Sequence, residues 1–251
     1  MLSAAFVIAP TQVGTVFSCR SADPLIDGTI HQIPEWEKGK PINVKLYNLI
    51  DESDTLMVQI QSVYGEDNLI YFGIVIPHEA LDPEDYFFII FRQRDSTPFV
   101  NPPYNKDGSF GKEHDLKMMW LHNNHTTDGF TKDIGYTWAD DVSNGGIDNG
   151  FGKCYDNRTH IQIEMKFPFN SGDSLGYDFN LYVNATIEMF LWFHDEKKGI
   201  DYTQIKETSN DFEYLLLDLS CTGAIPLRLE FIFLGLISVS ALSIIIKKRR
   251  A

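Results

Sequence analysis

The chain has 251 residues, with 21 Lys and Arg against 35 Asp and Glu and a net charge of −14, a balance that excludes a nucleic-acid surface built on clustered cations. Hydrophobic residues at 43% and aromatics at 13% exclude a disordered chain and suit one all-β domain with appendages. Three cysteines and no C-x-x-C pair exclude a disulfide-built scaffold, a Cys-based zinc site and covalently attached c-type haem.

Residues 1–22 begin with an uncharged stretch, LSAAFVIAP then VGTVF, which resembles the apolar part of a secretory signal without its cationic start. The stretch 23–220 shows period-2 alternation and short apolar runs bounded by turn residues, the pattern of strands. Strands are predicted at Ile42–Leu49, Thr55–Val63, Leu69–Ile76, Tyr86–Arg92, Leu116–Leu121, Thr159–Phe167, Ile187–Phe193 and Glu213–Leu219. Gly65-Glu66-Asp67-Asn68 reads as a hairpin turn. Two long loops are expected at Asp95–His114 and His122–Gly152, both rich in Gly and Asn. The whole predicts an immunoglobulin-like antiparallel β-sandwich with long loops.

The C-terminal end follows a linker at 221–226. Residues 231–246 are uncharged, and the run from Ile225 to Ile246 is interrupted by charge only at Arg228 and Glu230. At about 1.5 Å per residue it spans about 33 Å, enough for the hydrocarbon core. A transmembrane α-helix at 227–246 is predicted, with Lys247, Lys248, Arg249 and Arg250 in a cytoplasmic tail at 247–251. This makes the protein a single-pass membrane protein with its N-terminal domain extracytoplasmic. Residues 227–251 hold five cations and one anion, so the outer portion has 16 cations, 34 anions and a charge of −18. Such a field favours neutral or cationic partners and divalent ions. Sequons at Asn124, Asn157 and Asn184 fit an exported chain. With Cys19 near or inside the signal, Cys154 and Cys221 are the pair available to an oxidising compartment.

Several short motifs in order resemble a known superfamily. They are Ile26-Asp27-Gly28-Thr29-Ile30 with Glu35-Trp36, the hairpin from Ser62 to Phe72, Asp82-Pro83-Glu84-Asp85-Tyr86-Phe87, Gln162 to Pro168, and Asn170-Ser171-Gly172-Asp173. Together they resemble the family-9 carbohydrate-binding module and DOMON-like β-sandwiches over about residues 24–220. His114-Asp115-Leu116-Lys117-Met118-Met119-Trp120 and Glu164 to Asp173 resemble the haem-binding subunit of ethylbenzene dehydrogenase and dimethyl-sulfoxide-reductase-like enzymes. Lys166 and Phe167 do not reproduce that branch's Arg.

The resemblance implies a binding role, with b-type haem the leading ligand and, as the alternative, a cell-surface carbohydrate-binding module or an adhesin without cofactor. For b-type haem in electron transfer to a redox partner, axial thioether and imidazole candidates are Met118, Met119, His122 and His125; the two methionines face opposite sides of a strand. For a surface glycan, aromatic platform candidates are Tyr104, Trp120, Tyr136 and Trp138, with Asn123, Asn124 and Asp140 as polar partners. Trp36 and Trp192 read as core. Calcium candidates are Asp140, Asp141, Asn144 and Asp148 in one acidic, glycine-containing loop. No G-x-S-x-G, H-E-x-x-H, P-loop or dinucleotide motif occurs, so no catalytic residue is assigned and the chain is read as non-enzymatic.

Overall fold

The computed structural model describes residues 11–31, 35–78, 80–92, 114–131, 138–171, 181–206 and 211–221. The chain divides into a unit at Met1–Cys221 and a second at Thr222–Ala251; the latter, with the predicted transmembrane helix and basic tail, lies outside the described residues. Among the described residues no helix is long and apolar enough to cross a membrane.

Fourteen strands and one 3-10 turn are found among them. The strands are β1 (Thr11–Arg20), β2 (Ile42–Asn48), β3 (Thr55–Tyr64), β4 (Leu69–Pro77), β5 (Tyr86–Arg92), β6 (His114–Trp120) and β7 (His125–Thr131). They continue as β8 (Trp138–Asp140), β9 (Phe151–Asp156), β10 (His160–Pro168), β11 (Thr186–Asp195), β12 (Ile200–Thr203), β13 (Ile205–Lys206) and β14 (Asp211–Asp218). All eight predicted strands are present, and residues 65–68 turn between β3 and β4, with Gly65 N–H donating to Leu69 O.

One row of pairings runs β9-β10-β4-β3 and another runs β11-β5-β6-β7-β8. β2 with β12, and β1 with β14, join the two rows along one margin. Alternation along the strands turns one side of each row toward a shared core. Ile60, Ile74 and Ile163 from the first row and Phe87, Ile89, Met119, Leu191 and Phe193 from the second belong to that single cluster.

Four expectations are corrected here. Pairing is not wholly antiparallel, because β1 runs parallel to both β14 and β3. The sheet begins at Thr11 rather than after residue 22: the VGTVF part of the run read as a signal lies in β1, with Val16 fully buried, and residues 1–10 lie outside the described residues. The disulfide joins Cys19 to Cys221, whose Cα atoms are 4.8 Å apart. Cys154 is free and half-buried, and burial pushes its thiol up to about 12. The loop expected at 122–152 contains β7, β8, the Val142–Asn144 turn and the start of β9. The loop expected at 95–114 lies outside the described residues except for His114.

Two of the motifs that suggested the superfamily, residues 26–30 with Trp36 and residues 162–168, meet at one buried carboxylate. Glu164 on β10 accepts hydrogen bonds from Gly28 N (2.8 Å), Asp27 N (2.9 Å) and Trp36 Nε1 (3.1 Å). Gly28 takes φ +95°, and a Cβ there would stand 3.0 Å from the Cys154 backbone, so a side chain is excluded on both counts. Burial pushes the Glu164 carboxyl up even though all three donors act to lower it. These residues tie the segment before β2 to the sheet, with Ile26, Trp36, Val63 and Tyr71 packed beneath.

The Cys19–Cys221 bond closes a separation of 202 residues, which restricts the unfolded chain strongly. Cys19→Ser is expected to lower unfolding free energy by about 2–4 kcal/mol in urea titration. A Cys154→Ser change leaves the value within about 1 kcal/mol, and equal losses in the two variants would contradict this pairing.

Candidate functional site

The second row of strands is buried on both sides. Its far side carries Phe88, Ile90, Leu116, Met118, Phe190 and Trp192, with Tyr86, Trp120 and Trp138 packed against them. Cross-strand neighbours share a face, so the register assigns further residues to this side. Trp120 pairs with His125 and Met118 with Thr127; Gly129 pairs with Asp140, whose side of β8 Trp138 shares.

At the end of this face, Trp120, His125, Thr127, Trp138, Asp140, Val142 and Asp148 line a cleft of about 400 Å³. That volume suits a small ligand. β6 brings one indole and β8 the other, with Thr127 on the strand between them. The bare Cα of Gly129 permits this approach, since a Cβ there would lie 2.6 Å from Ala139 O and 3.2 Å from Trp138 Cε3.

Trp120 is held by its neighbours. The Tyr86 ring meets it edge-on at 5.2 Å and is itself stacked on Phe88 at 5.8 Å and His194 at 4.7 Å. His194 Nδ1 lies 2.9 Å from Asp201 Oδ1, and Nε2 lies 3.2 Å from Glu196 Oε2. Burial acts to lower the His194 pKa, but the bonds to Asp201 and Glu196 outweigh it and leave it above the ordinary 6.5.

The carboxylates of the cleft are partly engaged. Asp140 Oδ2 accepts from Ser143 Oγ (2.6 Å) and Ser143 N (3.0 Å), closing the turn after β8. Asp148 Oδ1 accepts from Gly150 N at 3.3 Å, and partial burial pushes its carboxyl up. The cleft therefore offers two apolar ring systems, an imidazole, a hydroxyl and two carboxylates.

Beneath the cleft, the inner face of the same strands carries charge. Lys117 Nζ lies between Asp128 Oδ1 and Asp115 Oδ1, the latter at 3.2 Å, and all three side chains are buried. The ammonium also lies 5.6 Å from the centroid of the Phe167 ring.

Of the platform candidates, Trp120 and Trp138 come together, while Tyr104 and Tyr136 lie outside the described residues. Trp36 and Trp192 are buried. The haem-ligand candidates divide between two faces, with Met118 and His125 on the outer one. Met119 fills the inner core and Met118 the outer cluster, on opposite faces as expected. His122 is exposed in the turn between β6 and β7, and His125 lines the cleft.

The calcium candidates also divide. Asp140 and Asp148 line the cleft, Asp141 is buried, and the Asn144 side chain donates to Asp140 O at 2.7 Å. The sequon residues Asn124, Asn157 and Asn184 are exposed in turns. Asn124 Oδ1 accepts from Cys154 N, and Asn157 Oδ1 from Thr159 and His160 N–H groups.

Sequence reasoning missed a group formed by His78, Asp85 and Asp195, whose ligand atoms lie within 4.8 Å of one another. The three are far apart in the chain and meet where β4 ends, β5 begins and β11 ends, so no local spacing signals them.

Neither the family models nor the curated proteins searched contain a match to the sequence. Among solved structures, the chain is similar to a Bacteroides uniformis protein provisionally described as carbohydrate-binding. Identity is 6%, the TM-score is 0.47, and the match covers 84% of this chain and 100% of that one. A likeness at that level leaves the functional assignment to the residues of the cleft.

Two outcomes follow from this geometry. Lys117→Met leaves two buried carboxylates without their shared cation and is expected to cost about 3–5 kcal/mol in chemical denaturation; a loss below about 1 kcal/mol would contradict the buried triad. A raised folded pKa at His194 gives stability that is complete below about pH 6.5 and is lost as pH rises through the folded value. Urea midpoints are therefore expected to fall over that rise in the wild type, with the His194→Gln profile flatter. Identical profiles would contradict it.

Proposed function

We propose that this protein is a carbohydrate-binding module and that the cleft between Trp120 and Trp138 is its sugar site. The observation that carries the reading is the pair of partly exposed indoles flanking a cleft edged by Thr127, His125, Asp140 and Asp148. Indole faces cover the apolar faces of a pyranose ring, and the hydroxyl, imidazole and carboxylates orient its hydroxyl groups. The role is binding, without catalysis, and matches the sugar-binding side of the superfamily that the sequence motifs resemble.

The proposed address is the extracytoplasmic surface of a cell membrane, with the apolar run at 225–246 as the anchor and 247–251 inside. The exposed sequons and the Cys19–Cys221 disulfide suit an oxidising, exported setting. The net negative charge disfavours nucleic acid and anionic polymers as partners.

Calorimetric titration of the full chain with a panel of neutral oligosaccharides tests the proposal. At least one is expected to bind, and Trp120→Ala or Trp138→Ala is expected to weaken it about tenfold, or about 1.4 kcal/mol, with thermal unfolding checking that each variant is folded. Absence of binding across the panel, or unchanged affinity in both folded variants, would overturn it. A Soret band that shifts on reduction in protein supplied with haem would favour the electron-transfer reading instead.

A further inference from the structure

A second cleft of about 400 Å³ is lined by Pro77, His78, Ala80, Thr159, Asp195, Lys197 and Lys198. Its wall includes the His78 imidazole and the buried Asp195 carboxylate, and a second buried carboxylate, Asp85, groups with them. Asp195 is 1% exposed, and its Oδ2 lies 3.4 Å from His78 Nε2 and 3.2 Å from Lys198 Nζ. No hydrogen bond reaches that oxygen, although Oδ1 of the same group accepts from Lys198 N at 3.1 Å. Asp85 is fully buried, and backbone N–H groups of Asp82 (2.8 Å) and Glu196 (2.9 Å) hold its two oxygens. Each of those oxygens keeps a lone pair. The His78 ring is fixed edge-on against Phe193 at 5.5 Å.

We infer that His78, Asp85 and Asp195 form a site for a zinc-class divalent cation, with a fourth position open to the adjoining cleft. One imidazole nitrogen and two carboxylate oxygens make up the three-ligand set of an open zinc site. Tetrahedral bonds of about 2.0–2.1 Å place ligand atoms about 3.3 Å apart, which the Asp195–His78 separation already meets. The three atoms lie within 4.8 Å of one another, so the third ligand reaches a tetrahedral spacing by a shift of up to about 1.5 Å. The imidazole disfavours Ca²⁺ and Mg²⁺, which take all-oxygen sets.

Lys198 supplies positive charge to Asp195 when the metal is absent. Its side chain is 56% exposed, so the ammonium can swing into solvent as the cation enters. Ala80 N–H donates to His78 Nδ1 at 3.2 Å, which leaves the ring proton on Nε2, facing Asp195. Metal takes the place of that proton, the ring proton moves to Nδ1, and the Ala80 contact at the exposed rim opens.

The test is thermal unfolding of the full chain, stripped with chelator and then titrated with Zn²⁺, with Ca²⁺ and Mg²⁺ as controls. Zn²⁺ at a hundredfold excess over its Kd is expected to raise the Tm by about 5–10 °C, reversibly by chelator. His78→Asn is expected to abolish the shift while preserving neutral-sugar binding at the tryptophan cleft. Asp195→Asn abolishes the shift as well, and Lys198→Ala tightens Zn²⁺ up to about fivefold by removing the resident cation. No shift with Zn²⁺ in the wild type, an equal shift with Ca²⁺ or Mg²⁺, or a shift retained in folded His78→Asn would overturn the site. Because its ligands are separate from Trp120 and Trp138, either proposal can fail while the other stands.

Discussion

One buried ammonium sets the geometry on which the candidate site depends. Lys117 lies inside the layers, between Asp115 on its own strand and Asp128 directly opposite on β7. Burying an ion is costly unless it is paired, and sliding β6 against β7 by one residue would carry every side chain to the wrong face. The pairing of Lys117 with Asp128 therefore specifies a single register. That register puts Trp120 and His125 on the far face of the same strands, where Gly129 lets Trp138 close in from β8.

Two other ties complete the frame around this hairpin. Glu164 gathers Asp27, Gly28 and Trp36 onto β10, and the disulfide holds the end of β1 to the residues after β14. Both join segments remote in sequence. Each acts by closing a long loop, which costs entropy once and then allows local packing to accumulate. Asp27, Gly28 and Trp36 thus belong to the framework, and the residues that line the cleft lie elsewhere, on β6 to β8 and in the segment that follows.

The strands with short continuous apolar runs were legible. β4 and β5, with runs such as LIYFGIVI and YFFIIF, are buried on both sides and carry no competing signal. β7 was not legible, because HTTDGFT has polar residues on both faces: Asp128 points inward to meet Lys117, while Thr127 and His125 line the cleft. Residues 11–20 were not legible as β1, since the uncharged VGTVF of a strand paired on both sides has the composition of a secretory segment. Trp120 and Trp138 were visible as candidate platforms, but their convergence depends on cross-strand register that no local window contains. The His78, Asp85 and Asp195 group was invisible for the same reason.

Fold alone does not assign function; the assignment rests on which tryptophans face the cleft. The chain has four: Trp36 and Trp192 are buried, and Trp120 and Trp138 line the cleft. The most direct test is site-resolved oxidation of indoles by N-bromosuccinimide, read by peptide mass spectrometry with and without a saturating neutral oligosaccharide. Trp120 and Trp138 are expected to oxidise first in the free protein and to be protected together by the sugar, with Trp36 and Trp192 unchanged. Sugar binding that leaves the oxidation of Trp120 and Trp138 unaltered would contradict the account.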